Sequence, residues 1–253
     1  MNKDDVARYR EFLKDSLRLQ IDFHLTDQNQ GVEPPPVQKP IRADQQVIPL
    51  PGQSTFDAFA GTDLVNAIAD RRSHRYFKQQ PITLDELSFL LWATQGVREV
   101  LHPGCAQRMV PSAGCRHAFE TYLLISAVDE LVSGSYRYLP VEHALVLEQE
   151  KKDFQAELTQ ATLNQSFIAS APVTFAWSVI PYRSEWRYHI AAHRVIAMDV
   201  GHLCQNLYIA CEAINAGTCA IAAYNQALMD QLLNVDGEEE FTIYLAPVGK
   251  IPI

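Results

Sequence analysis

Residues 71–97 read RRSHRYFKQQPITLDELSFLLWATQGV. At the front of this stretch Arg71, Arg72, Ser73 and Arg75 crowd three guanidiniums and a hydroxyl into five residues of a chain whose formal net charge is −9. Planar guanidinium forks match phosphate oxygens and the hydroxyl adds a donor, so the cluster reads as a pocket for a phosphate monoester. The plainer alternative is a solvated basic turn at the end of the helical run Leu64 to Asp70. Behind the turn, Thr83 as N-cap, Glu86 three residues later as its capping-box partner, and Gly96 at the far end predict a helix within Pro81 to Val97.

Toward the N-terminus, Val6, Tyr9, Phe12, Leu13, Leu17, Leu19 and Ile21 keep the three-four spacing of an amphipathic helix over residues 4–21. From Thr26 to Gln53 the composition turns to Gln, Pro and polar residues with PPP at 34–36, which predicts an extended arm long enough to wrap a partner chain. Compact structure is expected from Thr55, with a first helix starting at Thr62 or Asp63. The chain thus divides into residues 1–54, an N-terminal helix with a Pro-rich arm, and residues 55–253, the main domain.

Toward the C-terminus, Tyr122 to Val128 and Ser135 to Leu139 have strand composition with Gly134 at a turn between them. Phe154 to Phe167 reads as helix and APVTFAWSVI (171–180) as a buried strand. Arg187 to Ala216 is the longest helical signal, with Gly217 closing it and Ile196, Val200, Leu203, Leu207, Ala210 and Ile214 on its buried face. FTIYLAPVG (241–249) forms a last strand. Strands separated by helices of unequal length predict an α+β fold with a mixed central sheet flanked by helices.

With 253 residues, 47% of them hydrophobic, the chain can bury a sizeable core. Its acidic balance argues against nucleic acid or an anionic membrane as partner, since both call for broad basic faces. No apolar run approaches the roughly 18 residues of a membrane span. The five cysteines include no CxxC pair, and MNKDDVARYR lacks the apolar stretch of a secretory signal, so a reducing cytoplasm is expected.

Taken in series, RRSHRYFKQQPITLDELSFLLWATQGV (71–97), VPSAGCRHAFETYLLI (110–125), YRYLPVEHAL (136–145), MDVGHLCQNLYIACEAINAGTCAIAAYN (198–225) and FTIYLAPVGK (241–250) resemble the FMN-dependent nitroreductase superfamily, in its SagB-type or thiazole/oxazole dehydrogenase-like branch. The arm segments PPPVQKP (34–40) and VIPLP (47–51) are similar to the lead of that branch. The resemblance implies a homodimeric nitroreductase-like fold with FMN at the dimer interface. It implies that Arg71, Arg72, Ser73 and Arg75 hold the flavin phosphate, with Lys250 reaching it from the chain end. Pro111, Ser112, Ala113 and Gly114 would pass the flavin ring, and the backbone of Ile221, Ala222 and Ala223 would run beside its N5 and O4 edge.

Azoline dehydrogenases of this kind carry a Lys-Tyr pair before the long helix. In PYRSEWRYHIAAHR (181–194) the counterpart is Pro181-Tyr182 or Arg187-Tyr188, and neither supplies the lysine that could lose its proton and act as a base. Arg187 and Tyr188 are taken as the candidate catalytic pair, with Tyr182 the other tyrosine able to move a proton. The implied activity is an FMN oxidoreductase that takes hydride from transient NADH or NADPH and passes it to an organic acceptor by a ping-pong cycle. Azoline oxidation on a modified peptide, and a degenerate binding protein, are the alternatives.

Other constellations have plainer readings. His189 and His193 have metal-ligand spacing but lack a third ligand and read as core or interface histidines. Cys115 and His117 prompt a thiol-nucleophile reading that a loop near the flavin explains as well. Asp199 and His202 are expected in buried hydrogen bonds, with Gln205 and Asn206 satisfying backbone groups. Trp92 and Trp177 are expected in the core, Trp186 and Tyr188 at a pocket rim.

Overall fold

A computed structural model describes residues 3–252; Met1, Asn2 and Ile253, at the ends of the two expected segments, lie outside the described residues. The fold is α+β, built on a seven-stranded sheet. Its strands are β1 (Val47–Pro49), β4 (Phe119–Ile125), β5 (Gly134–Leu139), β6 (Ala144–Glu150), β7 (Val173–Val179), β8 (Ala216–Thr218) and β9 (Phe241–Lys250), in the order β1-β6-β5-β4-β7-β9-β8. A separate hairpin pairs β2 (Val97–His102) with β3 (Cys105–Arg108). The helices are α1 (Lys3–Arg10), α2 (Leu64–Asp70), α3 (Leu84–Gln95), α4 (Gln155–Ala161), α5 (Ser166–Ala169), α6 (Tyr182–Tyr188), α7 (Ala192–Ala213) and α8 (Gln226–Leu233).

Every residue of β4, β5 and β7 is buried, because the sheet is covered on both faces and the two-residue period of a strand serves both cores. Leu123, Ile125, Phe175 and Trp177 face the larger core, together with buried residues of α3 and α7. Tyr122, Leu124 and Ala176 face the other, with Phe154, Leu158, Ile168, Met229 and Leu233 from α4, α5, α8 and their approaches. The face read from sequence on the long helix, Ile196, Val200, Leu203, Leu207, Ala210 and Ile214, lies in the larger core as expected.

The local capping signals are found in place. Asp63 accepts a hydrogen bond from Asn66 N at 3.0 Å and starts α2. Thr83 and Glu86 form the reciprocal capping box of α3, and Gly96 is its C-cap.

Four expectations need correction. All paired strands of the large sheet run antiparallel; the mixed character is confined to isolated parallel bridges such as Ser73 with Thr218. The N-terminal helix ends at Arg10 and continues only as short 3-10 turns at Glu11–Leu13 and Ser16–Gln20. Its apolar residues find little to cover them, Tyr9 being 76% and Leu19 91% exposed, and a helix without a buried face is marginal in water. The helical signal at 154–167 is divided by left-handed Leu163 and Asn164 (φ 56° and 63°). The long helix begins at Ala192 rather than Arg187, because His189, at φ 49°, separates it from α6. At its other end left-handed Asn215 (φ 51°) turns the chain, and Gly217 lies inside β8.

The Pro-rich arm lies against its own chain, held by buried side chains that bind its backbone. Arg108 Nη2 donates to the Val37 carbonyl at 2.5 Å, and Arg137 donates to those of Lys39 and Pro40 at 3.0 and 3.1 Å. Lys39 N donates to Glu120 Oε1 at 2.7 Å, and Lys39 Nζ pairs with Glu240 at 2.5 Å. Glu120 also pairs with Arg183, both being 2% exposed. Such buried charges persist because each meets an opposite charge or a hydrogen-bonding partner. Nearer its start the arm grips α6: Gln28 N donates to the Trp186 carbonyl (2.9 Å), Trp186 Nε1 to the Val32 carbonyl (3.0 Å) and Tyr182 to Asp27 (2.7 Å). Among the described residues no helix is long and apolar enough to cross a membrane.

Candidate functional site

The turn 71–75 leaves α2 and runs beside the edge strand β8. His74 N donates to the Thr218 carbonyl at 2.9 Å, and the His74 ring lies so close to Gly217 that a Cβ there would stand 2.6 Å from it. Gly217 therefore serves close approach, which only the absence of a side chain permits. Burial, and then Arg72, lowers the pKa of His74 and favours its neutral form. Arg72, Ser73 and Arg75 are exposed and Arg71 half-buried. Among the described residues none of the three arginines forms a salt bridge.

Tyr208 of α7, which the sequence reading did not single out, organises this turn. Its hydroxyl is 2.9 Å from Ser73 Oγ and accepts from Ala220 N at 2.8 Å, while the Arg71 guanidinium sits 5.2 Å from its ring centroid. A tyrosine on a buried, mostly aliphatic face needs a partner for its hydroxyl, and that was the available signal. Tyr208 thus joins the basic turn to the start of the 221–223 segment.

Within that segment Ile221 is buried and its N–H is taken by the Leu245 carbonyl at 2.8 Å, so it cannot face a ligand edge as expected. Ala222 and Ala223 are exposed; the Ala223 carbonyl accepts from Gln165 Nε2 at 2.9 Å, which leaves the two N–H groups for that role. Lys250 is buried within the fold: its ammonium donates to Glu86 at 2.5 Å and to the Ile214 carbonyl at 2.6 Å. These contacts fasten β9 to α3 and to the C-terminal end of α7, where a cation is favoured, and they direct Lys250 away from the phosphate role.

The 111–114 segment is anchored through a second residue of α7. Asp199 Oδ2 accepts from Ser112 Oγ at 2.7 Å and from Ala113 N at 2.9 Å, and Ser112 Oγ accepts from His117 N at 3.0 Å. Burial raises the Asp199 pKa, against the opposing effect of these two donors. Gly114 (φ 59°), Cys115 (φ 55°) and His117 (φ 45°) all occupy the left-handed region, which glycine adopts freely and which for Cys115 and His117 is backbone strain of the kind retained at functional sites.

The structure brings this loop together with the candidate catalytic pair. A Cβ on Gly114 would lie 2.6 Å from the Tyr188 hydroxyl and 2.8 Å from Arg187 Nε. Arg187 lies 5.5 Å from the Tyr188 ring centroid and donates to Gln28 of the arm at 3.1 Å. Tyr182 instead faces Asp27, which leaves Tyr188 as the tyrosine beside the loop.

The remaining candidates divide. Trp177 is fully buried and Trp92 packs on Phe56 and Phe89. Trp186 is buried beneath Arg116, 4.6 Å from its ring, rather than at a rim. His117 is buried, and burial reinforced by Arg108 holds its pKa at about 3. That placement does not make it a base for Cys115. His193 pairs with Glu185 at 2.7 Å, and among the described residues no group of three or more His, Cys, Asp or Glu is arranged to hold a metal. His202 is exposed rather than buried, whereas Asn206 donates to the Ala93 carbonyl at 2.8 Å as expected.

Comparison with known proteins gives consistent results. The profile described as Nitroreductase family matches residues 68–250. The Methanocaldococcus jannaschii protein named "Putative nitroreductase MJ1384" is 32% identical over 189 residues, covering 74% of this chain and 90% of that protein. A Ralstonia eutropha crystal structure, likewise so described, is 25% identical with a TM-score of 0.67, covering 87% of this chain and 95% of that one. A chain of the E. coli microcin synthetase McbBCD complex shares the fold at TM-score 0.60 and 16% identity, over 100% of this chain and 98% of its own.

Proposed function

The chain belongs to the nitroreductase family, and from that premise we propose that it is an FMN-dependent oxidoreductase passing hydride from NADH or NADPH to an organic acceptor by a ping-pong cycle. The observation that carries the proposal is the turn Arg71-Arg72-Ser73-His74-Arg75, with three guanidiniums free of salt bridges among the described residues and a hydroxyl fixed by Tyr208. This donor set fits a phosphate dianion, for which planar, bidentate donors are well suited. When bound, FMN supplies an N5 position that accepts hydride from one substrate and yields it to the next.

The residues of the chain then divide the work. Arg71, Arg72, Ser73 and Arg75 bind the phosphate. Pro111 to Gly114, pinned by Asp199, offer a strip of small side chains and close backbone for the ring, and the exposed backbone of Ala222 and Ala223 lies one short step from the Tyr208 anchor. Tyr188 stands where its hydroxyl can hold a proton for the acceptor, with Arg187 beside it as a fixed positive charge. No Rossmann Gly-rich fingerprint is present in the sequence, so the nicotinamide would bind transiently in the acceptor's cleft.

A homodimer is part of the same reading. Leu64, Val65 and Ile68 of α2 and Met198 of α7 are 63%, 73%, 59% and 48% exposed, and a groove of about 530 Å³ between α2, α3 and α7 is lined by Phe59, Phe89 and Ile209 among others. An apolar surface of this kind is what a second subunit covers. Oxidation of azolines in a modified peptide is the second reading. Tyr188 beside Gly114 favours it, while Arg187 in the lysine position removes the base.

Anaerobic stopped-flow mixing of the FMN-loaded protein with NADH, NADPH and azoline substrates separates these readings by which one bleaches the flavin absorbance. Arg71→Ala with Arg75→Ala is expected to abolish stoichiometric FMN binding. Unchanged affinity in that double variant overturns the assignment of the phosphate site, and bound flavin that no reductant bleaches overturns the activity.

A further inference from the structure

Gln28, near the start of the Pro-rich arm, holds α6 at two points. Its N–H donates to the Trp186 carbonyl at 2.9 Å, and its Oε1 accepts from Arg187 Nη1 at 3.1 Å. Flanking bonds from Tyr182 to Asp27 and from Trp186 Nε1 to the Val32 carbonyl keep this part of the arm in register with the helix. The Arg187 guanidinium is therefore steadied by a neutral amide. Among the described residues it forms no salt bridge, and Glu185, the nearest acid in sequence, is engaged with His193.

The surroundings of Arg187 add positive charge and do not offset it. Arg116 sits 4.6 Å from the ring of Trp186, the residue before Arg187, and its own bonds go to the carbonyls of Arg183 and Gly104 at 2.7 and 2.6 Å. Beside these cations the Tyr188 hydroxyl has no hydrogen-bonding partner among the described residues. Arg187 Nε and that hydroxyl lie 2.8 and 2.6 Å from the point where a Gly114 Cβ would stand, so both flank one spot on the candidate ring-side loop. Both residues are half-buried. A single positive charge and a hydroxyl, each with donors that the chain itself does not use, match a group that only accepts hydrogen bonds and carries one negative charge. A carboxylate is such a group. A phosphate dianion is better matched by the three guanidiniums of the 71–75 turn.

We infer that Arg187, set by Gln28 and joined by the Tyr188 hydroxyl, recognises a carboxylate on the acceptor, with Gln28 as the positioning residue. The inference rests on the oxidoreductase reading above and narrows its acceptors to carboxylic acids. Gln28 lies outside residues 68–250, the part matched by the family model, so this selectivity comes from the chain's own N-terminal arm. A neutral partner at position 28 leaves the full guanidinium charge for the ligand; a carboxylate there would cancel it.

The test compares benzoate with benzamide, which share a shape and differ in charge. The full chain, with excess FMN, is treated with phenylglyoxal in the presence of either compound. Modification of Arg187 is read as the missed tryptic cleavage that yields residues 184–194 in place of 184–187. Benzoate at high occupancy is expected to slow that modification roughly 10-fold, and benzamide by less than about twofold. In the second arm the FMN-loaded protein is reduced with dithionite and mixed with para-nitrobenzoate or para-nitrobenzamide. The benzoate should reoxidise the flavin with an apparent dissociation constant about 10-fold below that of the amide, the scale of one charged hydrogen bond. Arg187→Gln is expected to close this gap. Gln28→Glu should close it too, since it keeps the bond to Arg187 but neutralises the charge, whereas a residue that only braced the fold would tolerate Glu. Equal constants for the two acceptors in the wild-type protein, absence of benzoate protection, or a gap that persists in Gln28→Glu overturns the inference and leaves the oxidoreductase reading intact. Reduced flavin that neither acceptor reoxidises overturns that reading instead, and the phenylglyoxal result still decides whether Arg187 takes a carboxylate. The wild-type comparison is decisive even if a variant fails to fold.

Discussion

The Tyr208 hydroxyl lies 2.9 Å from Ser73 Oγ, so the basic cluster is tied to the long central helix by a side-chain bond as well as to β8 through the His74 N–H. The same hydroxyl accepts from Ala220 N, so one atom sets the spacing between the proposed phosphate cradle and the segment leading to Ala222 and Ala223.

Tyr208→Phe keeps the ring under Arg71 but removes both hydrogen bonds. A net loss of about 1 to 1.5 kcal/mol is expected for such a deletion, which corresponds to FMN binding weakened about 5- to 13-fold. Titration of the apoprotein by flavin fluorescence measures this; an unchanged dissociation constant would show that Tyr208 does not order the cradle.

Gly114→Ala places a methyl carbon where Tyr188 and Arg187 now stand and forces an L-residue to φ 59°. Strain of this type costs about 1 to 3 kcal/mol, and in a chain of this size each kcal/mol lowers Tm by roughly 2 to 4 °C. Turnover should fall by a larger factor than stability alone explains, because Tyr188 must move. Calorimetry and steady-state kinetics on one preparation check both, and normal turnover with an unshifted Tm would place Arg187 and Tyr188 elsewhere.

Acid should destabilise the fold before most carboxylates titrate. His117 is held at about 3 by burial, with Arg108 reinforcing it, whereas an unfolded histidine takes up a proton near pH ~6.5. The unfolded chain therefore binds a proton that the folded chain refuses, and stability is lost as pH falls from about 6.5 toward about 3. His74 and His143 are shifted in the same direction. His117→Asn, which tolerates the left-handed backbone, should give a shallower decline of the urea midpoint between about pH 6.5 and 5; identical slopes for the two proteins would contradict this.

Local chemistry made part of this legible in advance. The capping box of Thr83 and Glu86, the Asp63 cap and the crowding of Arg71 to Arg75 are decided by neighbours in sequence, and they were readable for that reason. The resemblance of the quoted segments supplied the family. Features set by distant contacts were not readable. The break at His189 accompanies an arm segment gripping Tyr182 and Trp186 from some 150 residues away. Lys250 has the sequence context of a solvated end, yet it meets Glu86 across the fold. Ile221 loses its donor to Leu245, a pairing that only the sheet order reveals. Tyr208 was legible in principle, as a hydroxyl on a helix face that had to find a partner.

The arginines that hold the arm make it part of the folded unit. The match to the nitroreductase family model begins at residue 68, but a polypeptide trimmed to that point would strip Arg108 and Arg137 of the carbonyls of Val37, Lys39 and Pro40 and remove the Lys39 contacts from Glu120 and Glu240. Each keeps a partner in the main domain, Gln95 for Arg108, Glu148 for Arg137, Arg183 for Glu120 and Tyr122 for Glu240, but loses part of the compensation that a buried charge requires. A fragment that keeps this compensation whole therefore has to include the arm from Val37 onward, upstream of residue 68.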